Sequence, residues 1–248
     1  MERRRILVFT DGASKGNPGP GGWGVVILTP DGHVTELGGG SRHTTNNQME
    51  LTAVIQALKH LQDTAGTIDV YTDSTYVIRG ISQWIGAWKK RGWKTTEGKD
   101  VLNRSHWETL AHLASQRGTG GEISWHYVRG HTSVAGNERA DTIAARHAAG
   151  RRVTLYDGPL HDYRVRLHEL PADTRLPERA PGSPSPGKKK QAAYSYVSVV
   201  NGRPMRHATW PECERRVKGQ SGARFKKALS AADEAAILKG WGFSADDL

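Results

Sequence analysis

The 248-residue sequence holds a single cysteine, Cys213. An intrachain disulfide is therefore impossible, a cysteine-based zinc site is disfavoured, and nothing calls for an oxidising compartment. Long apolar runs are absent as well. Met1 to Arg5 leads straight into Ile6–Phe9, a stretch too short for a signal-peptide core and far too short to cross a bilayer. A cytoplasmic enzyme with no membrane partner is the expectation. Acidic residues are in deficit. Lys plus Arg number 35 against 25 Asp plus Glu, a net charge of +10, with a sequence pI near 9.8. That balance favours a polyanionic partner, although a merely soluble basic protein would share it. No internal repeat is evident. What is present is a 36% hydrophobic share and eight tryptophans, enough to fill a real core.

Residues 1 to about 150 alternate between strand and helix patterns. Ile6–Thr10 is a compact apolar strand, Gly12 to Gly22 a glycine- and proline-rich turn, Trp23–Leu28 a second strand, and His33–Leu37 a third. Thr45 and Gln48 spell a capping box, followed by Leu51, Val54, Ile55, Leu58 and Leu61 at helical spacing. Ile68–Thr72 and Ile123–Val128 are further strands. Ser74–Trp88, Val101–Gln116 and Gly136–Ala149 read as helices. The sum is a mixed five-stranded sheet covered by helices. Residues 151–192 lack sustained periodicity and end in a Pro/Gly/Ser run followed by three lysines, the composition of a flexible linker. From residue 193 to 248 order resumes: Tyr194–Val200 and Arg203–Ala208 flank Asn201-Gly202, a strong hairpin turn, and two short helices follow.

Four acids stand out at the ends of elements: Asp11, Glu50, Asp73 and Asp141. Adjacent strand ends lie about 5 Å apart, so Asp11 and Asp73 can share a site. Carboxylates gathered there repel unless cations neutralise them, and hard oxygen ligands suit Mg²⁺ or Mn²⁺. Any one of these acids alone reads as a surface carboxylate or a cap.

The local contexts decide. Phe-Thr-Asp11-Gly-Ala-Ser-Lys-Gly-Asn-Pro-Gly, Thr-Thr-Asn-Asn-Gln-Met-Glu50-Leu, Tyr-Thr-Asp73-Ser, Val-Arg-Gly-His131 and Asn-Glu-Arg-Ala-Asp141 together resemble type 1 ribonuclease H, over residues 5 to about 149. The resemblance implies an α/β fold with strand order 3-2-1-4-5 and endonucleolytic hydrolysis of the RNA strand of an RNA–DNA hybrid, leaving 5′-phosphate and 3′-hydroxyl ends. It also implies a site in which Asp11, Glu50, Asp73 and Asp141 hold two Mg²⁺ ions, with Mn²⁺ as the alternative. Asp11 would be shared, Glu50 and Asp73 would complete one shell, and Asp141 the other. His131 would assist water activation or product release. The catalytic domain is expected to act as a monomer.

The same resemblance places Asn17, Asn46 and Gln48 along the RNA strand, where the 2′-hydroxyl tells RNA from DNA. Thr45 and Asn103 would lie near a DNA phosphate. Gly12 and the glycines of Gly19 to Gly24 could let backbone approach a sugar, or could simply build a tight turn. Trp84, Trp88, Lys89, Lys90, Arg91, Trp93 and Lys94 form an aromatic-basic cluster similar to the family's basic protrusion, with core packing the expected use of Trp84 and Trp88.

Between Lys188 and Lys227 there are 11 Lys or Arg against Glu212 and Glu214, a local charge of +9. Residues 194 to 241 resemble the hybrid-binding, viroplasmin-like domain of eukaryotic ribonuclease H, a small α+β module that there precedes its catalytic domain. That resemblance implies Trp210 and Phe225 packing on DNA sugars, with Arg224, Lys226 and Lys227 holding phosphates. Two competing readings stay open from sequence: a transposase, integrase or exonuclease on the same kind of sheet, and a non-catalytic hybrid-binding protein.

Overall fold

The computed structural model describes residues 5–117, 121–129, 134–177 and 193–248. Two compact units divide between residues 178 and 179.

The first unit is built on a six-stranded sheet. In chain order it contains β1 (Arg5–Ser14), β2 (Gly19–Leu28), β3 (His33–Thr44), α1 (Asn46–His60), β4 (Thr67–Thr72), α2 (Thr75–Arg79), α3 (Ile85–Lys90), α4 (Arg104–Gln116), β5 (Ile123–Tyr127), α5 (Ala135–Ala148) and β6 (Asp157–Pro159). The strands lie in the order β5-β4-β1-β2-β3-β6. The β1–β2 and β2–β3 pairs are antiparallel hairpins, whereas β1–β4 and β4–β5 are parallel, with α1 carrying the chain from β3 to β4 and α2 to α4 carrying it from β4 to β5. The expected order 3-2-1-4-5 is thus present, with β6 added outside β3.

Alternation along the central strands sorts side chains to two faces. Ile6, Val8, Val25, Ile27, Ile68 and Val70 meet Leu51, Val54 and Leu58 of α1 and Trp107 and Leu110 of α4. Leu7, Phe9, Val26, Leu28, Val34 and Tyr71 meet Ala140 and Ile143 of α5 and, further along the chain, Leu167. Both faces are buried, which is why β1 reads as an unbroken apolar run.

Three boundaries differ from the sequence reading. β1 runs on to Ser14 and β2 begins at Gly19, so the glycine-rich turn shrinks to a few residues. The helix expected over Ser74–Trp88 is α2 and α3 joined by a π-helical turn at Gly80–Trp84. Most importantly, residues 151–177 are not linker. Asp157–Pro159 pairs with His33–Thr35 of β3, Leu167 is fully buried, and Tyr156 and Tyr163 pack ring to ring at 4.8 Å. Its apolar residues fall at irregular intervals on a chain with little regular structure, so no period betrays their burial. Residues 178–192 of the expected linker lie outside the described residues.

The second unit contains β7 (Ser195–Val200), β8 (Arg203–His207), α6 (Trp210–Val217), β9 (Arg224–Ala228) and α7 (Ala231–Gly240), with sheet order β8-β7-β9, all antiparallel. Asn201 and Gly202 both have positive φ, as a two-residue hairpin of this hand requires. Arg216 of α6 reaches Ser198 on one sheet face, and Ile237 of α7 packs on Val197 and Ala228 of the other, so each face carries one helix.

Candidate active site and nucleic-acid surface

The register of β1 and β4 sets the site. These strands run parallel with Phe9 opposite Tyr71, so Asp11 and Asp73, each two residues further on, reach the same end of the sheet. Glu50 arrives from α1, whose N-cap is Thr45. There the Thr45 hydroxyl accepts from the Gln48 amide at 3.3 Å, and the Gln48 side chain accepts from the Thr45 amide at 3.1 Å. The capping box expected from sequence is therefore formed. Gly12 lets α1 touch β1: a Cβ there would lie 2.2 Å from the Glu50 nitrogen.

Asp141 arrives from α5, which lies directly on β2. A Cβ on Gly24 would fall 2.2 Å from the Ala140 carbonyl, and one on Gly22 2.3 Å from that of Ala144. These glycines, read from sequence as a turn or an approach to sugar, serve helix packing. Both stand in a strand, with α5 filling the space above them.

Asp11, Glu50, Asp73 and Asp141 line one cleft of about 280 Å³, together with Ser14, Asn46, Asn137 and Glu138. Burial, then the charges of Asp73 and Asp141, push the Asp11 carboxyl up to about 8, against a hydrogen bond from the Gly12 amide at 2.6 Å. Glu50 also contributes to that repulsion, so Asp11 feels all three other acids. Burial raises Glu50 to about 7, although Ser74 donates to one of its oxygens and Asn46 to the other, the latter at 2.8 Å. Among the described residues no group of three or more His, Cys, Asp or Glu side chains is already gathered tightly enough to hold a metal ion. The donor set nonetheless suits a hard cation: carboxylate oxygens in excess, and the buried Asn137 Oδ1, which has no hydrogen-bond partner among the described residues.

Asn137 and Glu138 were missed at the sequence level. They stand in the Asn-Glu-Arg-Ala-Asp141 motif, read only for its last acid, though one helical turn back from Asp141 is the place to look.

The other expected residues separate into groups. Asn17, Asn46 and Gln48 do gather around the start of α1: the Asn46 amide donates to Asn17 Oδ1 at 3.2 Å, beside Glu50. Asn103 caps α4 in the left-handed region and donates to the Tyr76 hydroxyl at 3.2 Å, as does the Trp107 indole at 3.1 Å. Trp84, Trp88, Trp107 and Tyr76 form a run of ring contacts at 5.3–5.9 Å, so Trp84 turns inward with Trp88. Trp93 packs at the edge of the same core. Lys89, Lys90 and Arg91 remain exposed around them. His131 lies outside the described residues.

In the second unit, Trp210 sits between Tyr196 at 5.7 Å and Phe225 at 5.4 Å, with Trp210 37% and Phe225 50% exposed. Cross-strand pairing puts Tyr196 opposite Lys227 and Ser198 opposite Phe225, so Lys227 shares that face. Arg224 and Lys226 alternate to the opposite face, where Arg224 lies 5.7 Å over the Trp241 ring. The five residues expected to act together are thus split three and two.

A sequence profile of the RNase H family matches residues 3–149. A ribonuclease H of Cyanothece sp. is 51% identical over 150 residues, which is 60% of this chain and 92% of that protein. One of Thermosynechococcus vestitus is 52% identical over 150 residues, covering 60% and 91%. Among solved structures, LC9-RNase H1, described as a type 1 RNase H with the type 2 active-site motif, superposes with a TM-score of 0.56 at 28% identity, covering 75% of this chain and 99% of that one. With its sheet order, its four cleft acids and these relatives, the chain belongs to the ribonuclease H family of hydrolases.

Proposed function

We propose that this ribonuclease H hydrolyses the RNA strand of RNA–DNA hybrids endonucleolytically, with Asp11, Glu50, Asp73 and Asp141 holding a pair of divalent cations, Mg²⁺ or Mn²⁺. The observation that carries the reading is the raised Asp11 and Glu50 carboxyls in one cleft, since acids crowded at this cost ask for a cation. Such ions would supply a nucleophile at neutral pH and offset charge on the scissile phosphate, leaving 5′-phosphate and 3′-hydroxyl ends. Asp11, which feels all three other acids, is the natural shared ligand. Glu50 and Asp73 would complete the shell of one ion and Asp141 that of the other.

The chain's own residues orient the substrate. Asn46 and Ser74 hold Glu50 from two sides, fixing its carboxylate at the cleft rim. Asn17 ties the β1–β2 turn to the start of α1, and Asn17, Asn46 and Gln48 around that start would read a ribose 2′-hydroxyl as donor and acceptor. Lys89, Lys90 and Arg91 offer phosphate contacts without sequence preference. His131 would relay a proton or speed product release.

The second unit is read as a further hybrid-binding module, on the strength of an exposed aromatic pair flanked by Lys227. Stacking surfaces beside positive charge suit a nucleic-acid backbone and sugars. A tethered second grip can raise avidity by about 10²–10⁴. The test is cleavage of matched hybrid, double-stranded RNA and double-stranded DNA with Mg²⁺, by the full chain and by Asp11→Asn. The expected result is cutting of the hybrid's RNA strand alone, lost in Asp11→Asn with hybrid binding retained. Wild-type turnover by that variant would overturn the assignment.

A further inference from the structure

Residues 151–177 run from one edge of the first unit's sheet to the other. At the β3 edge, β6 pairs with His33–Thr35, and the Leu160 amide donates to the Gly32 carbonyl at 2.8 Å. Leu167 is buried against the sheet face that α5 shares. At the far edge the Tyr127 amide of β5 donates to the Thr174 carbonyl at 3.0 Å, and Arg79 donates to the Pro177 carbonyl at 2.9 Å. The segment is a strap across the whole sheet, alongside the helix that carries Asp141.

Strap and helix meet at one buried carboxylate. The Glu36 side chain is 0% exposed. Arg139 of α5 grips it with two N–H groups at 2.6 and 2.7 Å. From the strap, the Tyr163 hydroxyl donates to it at 2.5 Å and the Tyr156 amide at 3.0 Å. Arg139 also donates to the Thr154 carbonyl at 3.1 Å. Every oxygen of a fully desolvated acid is thus occupied, and a bidentate guanidinium fixes angle as well as distance. Arg139 and Asp141 are about 200° apart around the helix. The grip on Arg139 therefore opposes rotation of α5, the motion that would swing Asp141 out of the cleft.

We propose that the strap belongs to the catalytic machinery as a positioning device: Tyr163 and Glu36, acting through Arg139, set the rotation of α5 and so hold the Asp141 carboxylate where the cleft's cation needs it. Arg139, Glu36 and Tyr163 touch neither substrate nor ion; they act through the helix. The inference rests on the reading of the cleft as a divalent-ion site.

The experiment uses the full chain, stripped with chelator, in four forms: wild type, Arg139→Gln, Tyr163→Phe, and Leu110→Ala. The last removes packing from the opposite sheet face, where Leu110 is fully buried. Two quantities are measured without substrate: Mn²⁺ affinity by calorimetry, and amide hydrogen exchange over α5 and α1. The expected result for Arg139→Gln is Mn²⁺ binding weaker by about tenfold, the low end of what losing an outer support of a metal ligand costs. Tyr163→Phe loses less. Both speed exchange over α5 and leave α1 as it was. Leu110→Ala lowers the melting temperature yet keeps wild-type Mn²⁺ affinity and wild-type α5 exchange. Unchanged α5 exchange in the two junction variants overturns the proposal, and so does an equal effect from Leu110→Ala. If the wild-type chain binds no Mn²⁺, the ion reading of the cleft fails on its own, and α5 exchange still decides for or against the strap.

Discussion

Replacing Asp11 with asparagine should destroy activity and make the ion-free protein more stable. In the fold the Asp11 carboxyl is raised to about 8 from an ordinary 3.8, by burial and by the charges of Asp73, Asp141 and Glu50. A raised acid binds its proton more tightly folded than unfolded. Its ionisation therefore costs nothing below about pH 4, and the cost grows as pH rises toward 8. At pH 7 about three pH units of that interval have been crossed, each worth roughly 1.4 kcal/mol, for a ceiling of about 4 kcal/mol. Side chains that move apart relieve part of it, so about 2–4 kcal/mol is the expected gain from removing the charge. Asparagine keeps the shape and can still accept from the Gly12 amide, which now donates to Asp11 at 2.6 Å. For a domain of this size the gain corresponds to roughly 5–10 °C in Tm. The assay is calorimetric unfolding of wild type and Asp11→Asn in chelator at pH 5 and pH 8, repeated with Mn²⁺. The variant should melt higher at pH 8, with the gap shrinking to about 1 kcal/mol at pH 5, where little of the interval has been crossed. Mn²⁺ should raise the wild type far more than the variant. A variant no more stable than wild type at pH 8, or a gap independent of pH, would refute the electrostatic account of the cleft.

Three further outcomes follow from packing. Gly24→Ala places a Cβ 2.2 Å from the Ala140 carbonyl, so α5 must lift from β2; a loss of about 1–3 kcal/mol is expected from such overpacking, read by thermal melting together with reduced cleavage. A chain ending at residue 150 uncovers Leu7, Val26, Leu28 and Val34; limited proteolysis should degrade it where a chain ending at 177 survives. In the second unit, Phe225→Ala and Lys227→Ala should weaken hybrid affinity more than Arg224→Ala and Lys226→Ala, because strand alternation faces the first pair toward Trp210; equal losses by fluorescence anisotropy would show that both faces bind.

That the four acids share one cleft was legible from sequence because each sits in a local motif whose neighbours have their own local duties. Thr45 and Gln48 cap α1 within one turn, Ser74 caps α2 and holds Glu50, and Asp11 and Asp73 each come directly after one of two strand-like runs, Ile6–Thr10 and Ile68–Thr72, that pair in parallel register. The Asn201-Gly202 hairpin was legible for the same reason: its left-handed backbone is a requirement of two adjacent residues. Periodicity likewise determined the buried stripe of α1, and the unbroken apolar run of β1 marked a strand buried on both faces.

What only the tertiary structure decided depends on partners distant in the chain. The glycines of β2 look like turn residues until α5, more than a hundred positions later, is laid on them. Residues 151–177 look like linker because a strap needs no period of its own; the sheet it crosses supplies the pattern, and Glu36 becomes a junction only when Arg139 and Tyr163 arrive from 103 and 127 residues away. The split of Arg224 and Lys226 from Phe225 and Lys227 needed β9 to be a strand at all, and that was settled by its pairing with β7. Short-range geometry is written in neighbouring residues, whereas close approach, burial of charge and the choice of sheet face exist only once distant segments share the same space.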